Sequence, residues 1–315
     1  MQFLLCLNYS VRLNLKIFIF LLPIFLLAIE PITAIPQTIE YNKQKAVLGK
    51  ELFFDTSFSA DGKIACVSCH LPKYGGADPR IVSIGVYGKK GNIQSPTVYN
   101  SVYNFRQFWN GRARDLKEQI LGPTHNPVEM GMDNQRIVKI INSKYPNKFS
   151  KIYHTKRITF KMFQDVVAEF EKALITPNCK FDKWLKGEVK LTKLEKDGYH
   201  NFKKLGCITC HNGINIGGNS FQKMGVIHHI KNRIGDRYEV THNPNDKFVY
   251  KVPTLRNIEL TAPYFHSGNT YDLKKAVNLM AYYNLGLKLT KYQTKSIVAF
   301  LKTLTGEKPK ILDER

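Results

Sequence analysis

Strand patterns are scarce in this 315-residue chain, which sets aside sheet-built architectures and leaves a mainly helical one. Acidic residues are few: 25 Asp and Glu stand against 47 Lys and Arg, a formal net charge of +22. No nucleic-acid motif accompanies that charge, so a nucleic-acid partner is not expected. Acidic proteins or an anionic membrane surface fit better through long-range steering, and a lysine-rich solvated surface is the plain alternative. Long apolar runs are nearly missing. The run Ile17 to Ile29 is short for a membrane span and follows Arg12 and Lys16. It reads as the core of an export signal covering 1–34, with Ile32-Thr33-Ala34 offering a cut at Ala34/Ile35; an uncleaved anchor is the alternative. Cysteines number six. Cys6 lies in the leader, and the lone Cys179 reads as a small buried apolar residue.

The other four cysteines form two copies of one pattern, Cys66-Val67-Ser68-Cys69-His70 and Cys207-Ile208-Thr209-Cys210-His211. Cys-x-x-Cys-His is the attachment signal for c-type haem. Two thiols three residues apart add to the two vinyl groups of one porphyrin, and the adjacent histidine reaches the iron as an axial ligand. A four-cysteine zinc site wants its pairs closer and has no need of a histidine at the same offset in both. Two covalent haems, held by Cys66, Cys69, Cys207 and Cys210, are the expectation.

The length suits two domains, one per motif, and the 141 residues between the motifs suit that division. Helical patterns cover Tyr41 to Phe53, with Gly49 loosening its end, and Leu116 to Leu121, stopped by Gly122-Pro123. Thr159 to Thr176 carries Met162, Val166, Phe170 and Leu174 at four-residue intervals, and Pro177 ends it. Thr192 and Glu195 make a capping box for a helix to Leu205. Asp272 caps another that carries Ala276 and Met280 on one face, and Lys291 to Leu304 closes the series before Gly306. Leu71 to Asn100 is glycine-rich and loop-like. The resulting fold is two cytochrome c-like units, 35–177 and 178–315, each around its haem.

An ordered set of longer motifs carries more. LGKELFFD precedes the first haem motif; YGGAD, SPTVYNSVYNFRQFWNGRARDL, EQILGP and VEMGM follow it. ITPNCKFDKWLKG, CITCHNGINIGG, LRNIELTAPYFHSG and SIVAFLKTLTG complete the series. With these the chain resembles the bacterial di-haem cytochrome c peroxidases over nearly all of its length after the leader. The resemblance implies an exported, periplasmic enzyme that reduces hydrogen peroxide with electrons from a small cytochrome c or copper protein, and commonly a homodimer. It implies His70 as proximal ligand of a peroxide-reactive haem, and His211 with Met280 on the iron of a second, electron-storing haem. By itself Met280 reads as core on an apolar helix face. Glu129 matches the family's catalytic glutamate, Gln119 its companion, and Trp109 the aromatic residue between the haems. Without the family these read as a loop carboxylate, a polar helix residue and core packing. A calcium ion between the domains is also implied, with Thr261 and Pro263 matching carbonyl donors and Gln94 standing where the family presents asparagine.

Two related functions compete with that reading. The methylamine-utilisation di-haem enzyme, which oxidises a partner protein, has tyrosine where this chain has Met280. A non-catalytic di-haem carrier would have no use for Glu129 and Gln119. One departure from the family stands out. Many members close the resting peroxidatic iron with a histidine 16 residues beyond the proximal one, and here that position is Val86. The first haem is therefore expected to be open in the oxidised protein, unless Tyr87 or His125 substitutes.

Overall fold

Asn42 opens the first helix by accepting the Lys45 N–H at 3.0 Å, and helix α1 runs Lys43–Phe54. The computed structural model describes residues 30–231 and 233–314; the leader to residue 29, with Cys6, Arg12 and Lys16, lies outside them. After α1 the chain passes through short 3-10 turns to α2 (Leu116–His125), α3 (Asn134–Lys144), α4 (Pro146–Tyr153) and α5 (Phe160–Lys172). Then come α6 (Lys180–Leu185), α7 (Lys193–Lys204), α8 (Tyr238–Thr241), α9 (Leu273–Leu285) and α10 (Lys291–Lys302). Strand is confined, among the described residues, to β1 (Phe221–Lys223) pairing antiparallel with β2 (Val249–Lys251) and a few isolated bridges. No helix among them is long and apolar enough to cross a membrane.

Two expectations change. Helix α2 is not stopped at Gly122-Pro123 but continues to His125, with Pro123 inside it. Proline forfeits only one intrahelical bond so close to the end. Thr124 Oγ1 donates to the Ile120 carbonyl at 2.6 Å, and the Pro123 carbonyl accepts the Met130 N–H at 3.1 Å. Gly49 does not loosen α1. It sits mid-helix where α5 crosses, and a Cβ there would collide with the Val166 carbonyl.

That crossing is repeated. Gly198 of α7 meets the Ser296 carbonyl of α10 in the same way. Four residues after each glycine stands a phenylalanine: Phe53 packs on Phe170 and Phe202 on Phe300, both with ring centroids 5.1 Å apart. Each of the first pair also faces a motif histidine, Phe53 to His70 and Phe202 to His211, both at 6.4 Å. A second repeated block follows each motif at an offset of 157 residues. Asn100 and Asn257 both take φ 60°, Phe108 and Phe265 take 69° and 68°, and Gly111 and Gly268 take 65° and 61°. The bridges Gln107–Ala113 and Tyr264–Thr270 match, and Asp115 and Asp272 cap α2 and α9. The chain is one structural frame built twice.

Two apolar clusters result. The first gathers Phe53, Phe58, Ile137, Phe149, Phe163 and Phe170, together with Ile311 from the far end of the chain. The second gathers Phe181, Tyr199, Phe202, Phe300 and Leu304, together with Ile32. Ile32 thus belongs to the second cluster, and backbone bonds tie its neighbours to the same half. Gly213 N–H donates to the Pro31 carbonyl at 2.8 Å, Arg256 Nη2 to the Thr33 carbonyl at 2.9 Å, and Ile35 N–H to Asp182 Oδ2 at 3.3 Å. Thr176 ties the two blocks: Asn100 Nδ2 and Asn257 Nδ2 both donate to its Oγ1, at 2.7 and 2.9 Å.

Candidate functional site

Each Cys-x-x-Cys-His sequence winds a 3-10 turn, Cys66–Ser68 and Cys207–Thr209. The histidine N–H then donates to the carbonyl of the first cysteine, at 3.1 Å for His70 and 3.0 Å for His211. The turn places two thiols and one imidazole on the same side of the backbone. Burial raises the pKa of each of the four thiols. His70 Nδ1 lies 3.3 Å from the Gly76 carbonyl, which engages that nitrogen and leaves Nε2 for another partner. His211 is half-buried. Its Nδ1 has no hydrogen-bond partner, and burial pushes its pKa down to about 4, with the Ile216 carbonyl near enough to oppose the shift. With Nδ1 turned toward backbone as in His70, Nε2 is the nitrogen a metal could take.

Beside His211 opens a cavity of about 250 Å³ whose walls include Cys207, Cys210, Met280, Trp109 and His266. Its lining is mostly apolar and contains no Asp or Glu. Met280, on α9, therefore shares one enclosed space with the second motif. The residues fit a c-type haem there: two thiols, a histidine, a thioether and mostly apolar walls in one cavity. Trp109 is half-buried in the same wall. Its Nε1–H donates to the Gln94 carbonyl at 2.9 Å, and its ring stands edge-on to His266 at 6.2 Å. Gln94, Thr261 and Pro263 line this space too. The Gln94 side-chain nitrogen donates to the Ser95 carbonyl at 2.7 Å, and no cluster of three acidic, His or Cys side chains suited to a metal occurs among the described residues.

At the first motif the loop after α2 brings Glu129 in. Asn126 Nδ2 donates to Glu129 Oε1 at 2.7 Å, and the Glu129 carbonyl accepts the Val86 N–H at 2.9 Å. Burial raises the Glu129 pKa, opposed by the Asn126 bond and by the charge of Arg112. The Glu129 charge also contributes, behind burial and nearer groups, to the raised pKa of Cys66 and of Cys69, which sets it on the motif's side of the loop. Gln119 is half-buried on α2, one turn before Pro123. Val86 is buried against the Glu129 loop, whereas Tyr87 is 67% exposed, with its hydroxyl toward the Ala60 carbonyl at 3.4 Å. His125 is also exposed: Nε2 lies 2.9 Å from Asn134 Oδ1, and the ring stacks on Phe160 at 5.5 Å. Both side chains have partners that turn them outward.

Three further residues escaped the sequence reading. Pro123 occupies, at the 157-residue offset, the position of Met280, and Gln119 and Glu129 occupy those of Ala276 and Gly286. Glu171, next to Phe170 on α5, is buried with its pKa pushed up to about 8 by desolvation, and its charge acts on Cys66. Lys251 lines the cavity of the second motif. The internal repeat was the signal for Pro123; what sets Glu171 and Lys251 apart is their burial, a tertiary property.

A duplicated helical frame with a Cys-x-x-Cys-His turn in each copy is the class that fold and site define. A family model for di-haem cytochrome c peroxidase matches residues 43–190. Cytochrome c551 peroxidase of Nitrosomonas europaea is 46% identical over 285 residues, covering 89% of this chain and 85% of that protein. Cytochrome c551 peroxidase of Pseudomonas aeruginosa is 39% identical, over 86% of this chain and 81% of that one. Among solved structures, a MauG-like protein associated with microbial copper homeostasis superposes with a TM-score of 0.78 at 26% identity, covering 88% of this chain and 93% of that chain. The chain belongs to the di-haem cytochrome c peroxidase family.

Proposed function

We propose that this chain reduces hydrogen peroxide to water at its first motif and stores and relays the electrons at its second. The observation that carries the division is the unequal repeat. Where the second copy offers Met280 as a ligand, the first has Pro123, which has no lone pair for iron. Where the second has Ala276 and Gly286, the first has Gln119 and Glu129, groups able to orient and move protons. One copy is furnished to hold a closed iron and the other to keep a position free for substrate.

The haem supplies iron that accepts the peroxide and two oxidising equivalents. This chain's residues supply the rest. With a haem bound, Glu129 would take the proton from one peroxide oxygen and give it to the other, which leaves as water, while Gln119 would orient the peroxide. Balance requires two electrons and two protons for each peroxide, yielding two waters. His70 holds the first iron, and His211 with Met280 the second, the pairing that raises a haem's potential. Trp109, set in the second cavity's wall and bonded to Gln94, lies on the electron path. Val86 leaves the first iron open in the oxidised protein, a reading supported by the outward partners of Tyr87 and His125. Calcium binds near Gln94, Thr261 and Pro263 through oxygen donors. The halves correspond to 35–177 and 178–315. The protein is exported to the periplasm by its N-terminal segment; a cut at Ala34/Ile35 would remove Ile32, which packs in the second core, and this favours a cut further upstream or a retained anchor. The electron donor is a small exported cytochrome c or copper protein.

The test is steady-state peroxide turnover with a pre-reduced cytochrome c, on protein shown by mass to carry two haems. Turnover at stoichiometry of two donor electrons per peroxide supports the reading. Two haems with electron exchange but no peroxide consumption would mean a carrier, and oxidation of a partner protein's side chains a different enzyme.

A further inference from the structure

The first and second copies exchange one backbone bond each where they meet. Gln94 N–H donates to the His266 carbonyl at 2.9 Å, and Lys251 N–H donates to the Trp109 carbonyl at 2.7 Å. These are equivalent bonds, since Lys251 stands 157 residues after Gln94 and His266 the same distance after Trp109. Where the first copy presents a neutral amide, the second presents an ammonium.

That ammonium is anomalous. Lys251 is 6% exposed, and its backbone is pinned both by the Trp109 carbonyl and by its place opposite Phe221 in the β1–β2 pair. With the backbone fixed there, the side chain is buried in the wall of the cavity beside the second motif. Among the described residues no carboxylate pairs with it, and burial is the sole influence on its pKa, pushed down to about 8. A buried cation without a counter-charge is costly unless something that arrives later supplies one. The cavity it lines contains Lys223 as well but no Asp, Glu or Arg, so the protein itself brings no anion. A haem joined to Cys207 and Cys210 brings two, as its propionate carboxylates.

We propose that Lys251 is the counter-ion of a propionate of the second haem, and that this pair holds that haem's reduction potential up. The inference rests on the reading that a haem occupies the second motif. A cation fixed beside a haem favours the reduced iron, which carries one positive charge less. Gln94, its counterpart, exerts no such pull, so the pair adds to Met280 in separating the two irons in potential.

The experiment is a spectroelectrochemical titration of the holoprotein, wild type against Lys251→Met, Lys251→Gln and Lys251→Arg, each with two haems verified by mass. Lys251→Met and Lys251→Gln are expected to weaken reduction of the second haem roughly tenfold, a fall of about 59 mV for a one-electron couple, while the first haem stays put. Lys251→Arg is expected to retain most of the wild-type value. A second-haem potential unchanged in both neutral variants overturns the proposal. So does a shift confined to the first haem, which would assign the lysine to the other propionates. So does a wild-type potential that moves with added acetate or phosphate, which would make the partner a free anion. A wild-type protein with one haem would instead refute the two-haem reading, and the mass measurement tells the two failures apart.

Discussion

Replacing Arg256 by methionine should cost this protein as much stability as truncating one of the buried phenylalanines of its core. The guanidinium and the Asp182 carboxylate are both fully buried and meet at 2.7 Å. Arg256 also donates from Nε to the Ile214 carbonyl at 3.0 Å, from Nη2 to the Thr33 carbonyl at 2.9 Å, and from Nη1 to Cys179 Sγ at 3.2 Å. Methionine fills much of the volume but strands the Asp182 charge and two carbonyls. Removing one partner of a buried pair costs about 3–5 kcal/mol, because the charge left behind is uncompensated. For a domain of this size each kcal/mol lowers the melting temperature by roughly 2–4 °C, so a fall of about 6–20 °C is expected. Replacing the pair together, Arg256→Met with Asp182→Leu, should restore most of it, since two apolar side chains leave no charge to solvate. The assay is a thermal melt of the two-haem protein followed by circular dichroism. A single variant melting within about 2 °C of wild type, or a double variant as unstable as the single, would refute the account.

Glu129→Gln should leave both haem spectra unchanged and cut peroxide turnover by roughly a hundredfold or more, as measured in the cytochrome-coupled assay. Burial raises the Glu129 pKa, so its ionised, proton-accepting form is lost as pH falls through a value above the ordinary carboxylate range. The wild-type acid limb should begin there and be missing from the residual activity of the variant. Oxidised wild-type protein should show a high-spin electron paramagnetic resonance signal and turn over without a lag; two low-spin haems and a lag abolished by pre-reduction would mean that a residue closes the first iron. Pro123→Met should place a thioether where the repeat predicts a ligand, converting the first haem to low spin and lowering turnover by roughly a hundredfold. An unchanged high-spin signal with full activity would break the proposed equivalence with Met280.

The two haem turns were legible because their chemistry is local: five consecutive residues set both the thiols and the imidazole. The capping box at Thr192 and Glu195 was legible for the same reason, and both its bonds form, at 3.3 and 2.7 Å. The end of α2 was misread because Pro123 marks a helix stop in isolation, whereas Thr124 and Met130 satisfy what it leaves open. Helices α3 and α4 carry no motif and drew no reading. Glu129, Gln119 and Met280 were legible only through likeness to a family, since a loop carboxylate, a helix amide and a core methionine declare nothing alone. Lys251 and Glu171 were hidden by chemistry of another kind: burial makes them unusual, and burial is a tertiary property. The repeat was missed because its identical pairs, such as Asn100 with Asn257 and Phe108 with Phe265, are scattered singly along the chain and stand out only once their shared backbone angles are seen.

Ile32 and Ile311 each complete the core of the half farther away in sequence. A chain threaded this way cannot finish either half from its own contiguous stretch. The first core waits for the last few residues, and the second for a segment delivered first, so both closures span most of the chain and carry its loop-closure cost. Cutting near residue 177 would therefore give two fragments that each lack a side chain of their own interior, rather than two self-sufficient cytochromes. The same delay is useful for cofactor loading. Until the termini clasp, the thiols at Cys66 and Cys207 belong to an incompletely closed chain, and an attachment machinery that must reach them gains time before the walls of each pocket seal.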